Sequence, residues 1–138
     1  MTIKQISVFL ENKSGRLAEV TRVLGEGEVN LRALTIADTA DFGILRLIAD
    51  NTERALRILA GGGFTARVTE VLGVEVPDRP GGLAQVMEAF AENSVNIEYL
   101  YVSLERNEEN AVVIFKVEDV DRGVKVLEQH GFKMIQLW

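Results

Sequence analysis

The chain has no cysteine, one histidine and one tryptophan. The lack of cysteine excludes disulfides, thiolate nucleophiles and cysteine-based zinc sites. Positive charge is also short. Lys and Arg number 15 against 21 Asp and Glu, a formal net charge of -6. Nucleic acid wants a basic face, and so does an anionic membrane surface, so both are poor partners here. No apolar run approaches the roughly 18 residues of a membrane-spanning helix. The opening Met1-Thr2-Ile3-Lys4-Gln5 has no charged region followed by an apolar signal core. These absences point to a soluble cytoplasmic protein. Proline occurs twice, at Pro77 and Pro80, in one turn.

Apolar residues, by contrast, make up 47% of the 138 positions. That is enough for a packed core and argues against disorder. The length suits one ordinary domain or two very small ones.

The pattern decides between these. Ile6, Val8 and Leu10 alternate with Gln5, Ser7 and Phe9, a strand with one buried face. Asn12-Lys13-Ser14-Gly15 is a turn. Leu17, Val20 and Leu24 recur at helical spacing up to Gly25 and Gly27. Val29 to Ala37 reads as a second strand, Asp38-Thr39-Ala40-Asp41 as a hairpin turn, and Phe42 to Ala49 as the returning strand. Thr52 is positioned to cap a second helix carrying Ala55, Ile58 and Leu59. Gly61-Gly62-Gly63 stops that helix, and Phe64 to Val71 reads as a fourth strand.

A shift of 66 residues superposes the chain on itself. Ile6, Val8 and Leu10 fall on Leu72, Val74 and Val76. Asn12 falls on Asp78, Gly15 on Gly81, Leu17 on Leu83, and Val29-Asn30-Leu31 on Val95-Asn96-Ile97. After a two-residue insertion around Arg106 to Asn110, Gly63-Phe64 meets Gly131-Phe132. So long a repeat predicts two copies of one domain, residues 1–70 and 71–138. Each copy reads strand, helix, strand, strand, helix, strand. That order gives an α+β fold of two ferredoxin-like βαββαβ units, each an antiparallel sheet with its helices on one face.

In each copy the first strand turns directly into a helix. Such a start leaves amide donors without intrahelical partners, at the positive end of the helix dipole. It suits a carboxylate or phosphate. Asp78 and Asn96 are expected to come back near each other across the compact strand–helix–strand unit. The plainer roles are helix capping for Asn12 and Asp78, and left-handed turn positions for Asn30 and Asn96. His130 reads as a surface residue at a helix end, Glu118, Asp119 and Asp121 as the acidic start of a helix. Glu105 to Glu109 reads as a solvated hairpin tip. Leu83, Val86, Met87 and Phe90 read as core. Trp138 is expected to cover a sheet edge or an interface.

These turns resemble the signature of ACT domains, amino-acid-sensing regulatory modules. Asp78-Arg79-Pro80-Gly81-Gly82-Leu83 with Val95-Asn96-Ile97 carries the resemblance, and Asn12-Lys13-Ser14-Gly15-Arg16-Leu17 with Val29-Asn30-Leu31 repeats it. The chain therefore looks like a free-standing tandem ACT protein with no catalytic domain left over. The resemblance implies ligand contacts from Asn12 and Asn30 with Leu31 in copy one. In copy two it implies Asp78, Pro80 and Asn96 with Ile97. The backbone of Ser14, Gly15, Arg16 and Leu17, and of Gly81, Gly82 and Leu83, would hold the ligand carboxylate. It also implies a site at an interface between two ACT units, completed by second-strand residues from Leu34, Thr35, Ile36 or Leu100, Tyr101, Val102.

Two departures stand out. Ser14 replaces the family's proline and can cap the helix. Asp78 replaces asparagine, which favours a zwitterion over a bare acid or leaves copy two structural.

The implied function is a non-catalytic module that binds a small amino acid and modulates amino-acid metabolism. Its expected partners are the amino acid, further copies in a homodimer or larger homo-oligomer, and a separate metabolic enzyme. Neither cofactor nor metal is expected. The alternatives are a ligand-free structural or dimerisation subunit, and a small ferredoxin-like enzyme such as an acylphosphatase using Arg16 or Arg79. No nucleophile–base pair supports the enzyme. An RNA-binding module would need exposed aromatics such as Tyr99 and Tyr101 and a basic surface.

Overall fold

The computed structural model describes residues 2–38 and 41–136. The middle of the hairpin turn expected at Asp38 to Asp41, and Trp138, lie outside them. The chain forms two compact units, one from Lys4 to Thr69 and one from Glu70 onward together with Thr2 and Ile3.

The first unit contains β1 (Ile3–Glu11), α1 (Arg16–Glu26), β2 (Leu31–Asp38), β3 (Phe42–Ala49), α2 (Thr52–Gly61) and the start of β4 (Thr65–Pro77). Its strand order is β2-β3-β1-β4. β3 runs antiparallel to both β1 and β2, with Val8 opposite Leu45 and Ile36 opposite Leu45 from the other side. The alternation in β1 places Ile6, Val8 and Leu10 in a core with Val20 and Leu24 of α1 and Ala55 and Leu59 of α2.

The second unit repeats this with the rest of β4, α3 (Gly82–Glu92), β5 (Ile97–Asn107), β6 (Asn110–Val117), α4 (Val120–Gln129) and β7 (Met134–Ile135). β6 pairs antiparallel with β4 and β5, and β7 pairs with β4. Leu72, Val74 and Val76 face Phe90 of α3 and Leu127 of α4. Phe90 and Phe115 meet edge to face at 5.5 Å. Burying a side chain of that size contributes about 1.5–3 kcal/mol. The two ferredoxin-like units follow the expected α+β order.

Several details differ from the pattern reading. The fourth strand does not stop at Val71 but continues without a break to Pro77. Asn51, not Thr52, caps α2, its side chain accepting from the Arg54 amide at 3.0 Å. Asp119 does the same for α4, accepting from the Arg122 amide at 3.1 Å. Each cap residue is extended, which lets its oxygen reach back to the first turn. Leu17 and Leu83 are each 40% exposed, so the helix starts stand clear of the core that Val20 and Val86 enter. The left-handed positions beside the second strands are Glu28 and Ser94, not Asn30 and Asn96. His130 caps the end of α4, its ring Nδ1 2.9 Å from the Val126 carbonyl oxygen.

Candidate ligand-binding site

The two strand–helix turns are built alike, bond for bond. The amides of Asn12 and Asp78 donate across to the Asp41 and Glu109 carbonyls, at 2.9 and 3.0 Å. The Lys13 and Arg79 amides fold back on Glu11 and Pro77, each at 2.9 Å. Gly15 and Gly81 then take left-handed backbone angles, φ 88° and 84°, and accept the first helical bonds from Glu19 and Gln85. Open space surrounds both glycines, so it is the φ value that demands glycine there.

Neither helix has a side-chain cap. The cap position belongs to the left-handed glycine itself, not to Asn12, Ser14 or Asp78. The next two amides, of Leu17 and Ala18 and of Leu83 and Ala84, point past the helix start without intrahelical acceptors. This geometry can receive a carboxylate.

The copies diverge one residue later. Gly82 is buried, and a Cβ there would lie 2.0 Å from the Pro77 carbonyl oxygen. Its counterpart Arg16 is a long cation. Its guanidinium lies 4.9 Å from the Phe64 ring centroid and 2.8 Å from Glu19 Oε2. Arg16 is thus already engaged, which weakens an acylphosphatase-like role for it. At the edge of the first turn, Glu11 is held below the usual carboxylate range by its hydrogen bond and ion pair with Lys13, 3.0 Å away.

The second turn borders an open cleft of about 510 Å³ lined by Pro77, Asp78, Arg79, Arg106, Glu109 and Asn110, among others. Arg106 Nη2 donates to Asp78 Oδ2 at 2.7 Å. The supposed hairpin tip is therefore partly strand, β5 running on through Arg106 and Asn107, and one of its charges is tied to the turn. Arg106 escaped the sequence reading; the two-residue insertion that carries it was the available signal.

Asn30 and Asn96 lie elsewhere. The Asn30 amide donates to Asp50 Oδ1 at 3.1 Å, and the Asp50 amide returns a bond to the Asn30 carbonyl at 3.0 Å. Asn96 Nδ2 donates to Glu118 Oε2 at 3.4 Å, and the Glu118 amide donates to the Asn96 carbonyl at 2.9 Å. Asp50 and Glu118 follow the ends of β3 and β6, whereas Asp41 and Glu109 precede their starts. β3 and β6 have eight residues each, so roughly 26 Å separates the turn from the asparagine at about 3.3 Å per residue. The expectation that Asp78 and Asn96 come together within one unit fails for this reason. The helix between them carries the chain back to the opposite end of the sheet.

Of the second-strand candidates, Leu34, Ile36 and Val102 are 40%, 44% and 59% exposed, and Thr35 and Leu100 are half-buried. Tyr101 is 7% exposed, which removes it as a stacking platform for RNA. No group of residues that could hold a metal occurs among the described residues, and none of their helices is long and apolar enough to cross a membrane.

The family model described as an ACT domain pair matches residues 1–136. No curated protein matches the chain. Among solved structures, protein BT0572 from Bacteroides thetaiotaomicron is similar at 41% identity, with 98% of this chain and 92% of that one covered and a TM-score of 0.92. The ligand-free regulatory subunit of aspartate kinase from Thermus thermophilus is similar in fold, at 20% identity, 91% coverage of both chains and a TM-score of 0.64. The corresponding subunit from Thermus flavus shows 19% identity and a TM-score of 0.60, over 91% of this chain and 90% of that one. Two duplicated turns with left-handed glycines, on two ferredoxin-like units, accompany a family match over nearly the whole length: the chain belongs to the ACT domain pair family.

Proposed function

We propose that this protein is a non-catalytic regulatory module that binds a small amino acid at its strand–helix turns and thereby modulates amino-acid metabolism. The observation that carries the reading is the duplicated helix start, with a left-handed glycine at the cap position that has no side chain to offer the first turn. A ligand carboxylate can accept from the amides of Leu17 and Ala18, or of Leu83 and Ala84. Asn12 and Asp78 flank those amides and offer polar groups to the ligand ammonium.

An amino acid cannot bridge one unit from turn to strand-opening asparagine. A site that uses both must draw them from two different units, and we infer that a second chain supplies one of them in a homo-oligomer. The fold likeness to regulatory subunits of aspartate kinase from two Thermus species supports a partner enzyme in amino-acid metabolism.

Thermal-shift measurement across the common L-amino acids tests this. One of them should raise the melting temperature, because a ligand of the native state stabilises it by mass action. Asn12→Ala with Asn30→Ala, or Asp78→Ala with Asn96→Ala, should reduce that shift while leaving the unliganded melting temperature close to the parent's. Absence of a response to every amino acid would sink the sensor and leave a structural dimerisation subunit.

A further inference from the structure

The second unit has something the first lacks. In the first hairpin the sequence between Asp38 and Asp41 contains no arginine. In the second, the inserted residues deliver Arg106 to the turn, where it pairs with Asp78. We propose that Arg106 determines ligand specificity in the second unit: it joins the Leu83 and Ala84 amides in gripping the carboxylate of a zwitterionic amino acid whose ammonium sits on Asp78. This rests on the amino-acid-binding reading above.

Three observations carry it. The first is position. Arg106 and Asp78, in contact at 2.7 Å, both line the open cleft of about 510 Å³ beside the second turn. The second is anchorage. Arg106 is fixed in the β5–β6 ladder opposite Ala111. Its neighbour Asn107 donates from Nδ2 to Glu75, a carboxylate only 7% exposed, with Lys133 Nζ 3.7 Å from it. A buried carboxylate bound to Asn107 holds the end of β5 in place, so the guanidinium is presented from a rigid edge. The third is charge. Asp78, Glu108 and Glu109 line the cleft together with Arg79 and Arg106, so both ends of a zwitterion find an opposite charge, and a molecule with one charge leaves the groups of its own sign unmet.

The Asp78–Arg106 pair itself is exposed, at 53% and 63%. Pairs of this kind hold weakly. A zwitterion inserted between them replaces one weak contact with two, and the planar guanidinium can grip a carboxylate through two parallel bonds.

The test isolates the second unit in an Asn12→Ala, Asn30→Ala background and titrates it calorimetrically with each common L-amino acid. Ethylamine and propionate serve as single-charge controls. The amino acid that binds should do so about tenfold to a hundredfold more weakly after Arg106→Ala, the loss expected for one charge-assisted hydrogen-bonding group. Arg106→Lys should recover only part of it, and neither control should bind. Unchanged or tighter binding by Arg106→Ala overturns the proposal while the sensor stands. Binding that vanishes in the Asn12→Ala, Asn30→Ala background, although the parent protein binds, also overturns it. Binding of no amino acid by the parent protein overturns the sensor as well.

Discussion

Alanine at position 82 would set its Cβ 2.0 Å from the Pro77 carbonyl oxygen and 3.0 Å from the carbonyl carbon. Both atoms belong to backbone at the end of β4, so no side chain can swing aside. An ordinary contact begins near 3.4 Å, and the start of α3 would have to withdraw by more than an ångström. Overpacking of this sort costs about 1–3 kcal/mol and sometimes more; with rigid backbone on both sides, Gly82→Ala belongs at the upper end, about 3 kcal/mol. Gly81→Ala and Gly15→Ala are different. Their Cβ atoms would enter open space, and the penalty is only the left-handed backbone, about 1–2 kcal/mol. Urea unfolding at constant m value, read as the midpoint, separates the three. The ordering Gly82 above Gly81 and Gly15 is the expected result. A Gly82→Ala protein within about 0.5 kcal/mol of Gly81→Ala, the scatter of innocuous substitutions, would refute the argument that β4 and α3 touch backbone to backbone.

Other consequences follow from the caps and the turn. Asn51→Ala and Asp119→Ala each remove an oxygen that accepts from the helix start, and each should lower stability by about 1 kcal/mol in the same urea assay. Glu11 should titrate by NMR below an ordinary glutamate, because Lys13 hydrogen-bonds and neutralises its charged form. With the folded value depressed, any stabilisation from this pair is present above the unfolded glutamate's pKa and fades as pH falls through the folded one. Lys13→Ala should move the Glu11 midpoint back up, without a measurable change in melting temperature at neutral pH, since the pair is solvent-exposed.

Much of this protein is legible in its sequence, and the limits have physical causes. Period-two and helical spacing register burial directly, so Ile6, Val8, Leu10 and their partners Leu72, Val74 and Val76 identify both sheets. Gly15 and Gly81 announce a backbone angle that other residues resist. Proximity is harder. Asp78 and Asn96 look adjacent in a strand–helix–strand unit, yet each strand and helix reverses the chain by its full length, and only the ladder registers fix which ends coincide. The need for Gly82 was invisible because it comes from the Pro77 carbonyl, a backbone atom common to every residue type. Asp50 and Glu118, which hold the two asparagines, stand one residue before the caps Asn51 and Asp119. An acidic residue repeated there in both copies was the unused clue.

The separation of turn and asparagine also governs counting. If one chain lends its turn and the next its asparagine, two chains related by a twofold axis make the same joint twice. Ligands would then arrive in pairs per dimer, and a half-filled dimer would be an intermediate of titration, with saturation at an even number. Chains joined head to tail without that axis would close into a ring or, where the rotation does not close, grow into filaments as the metabolite accumulates.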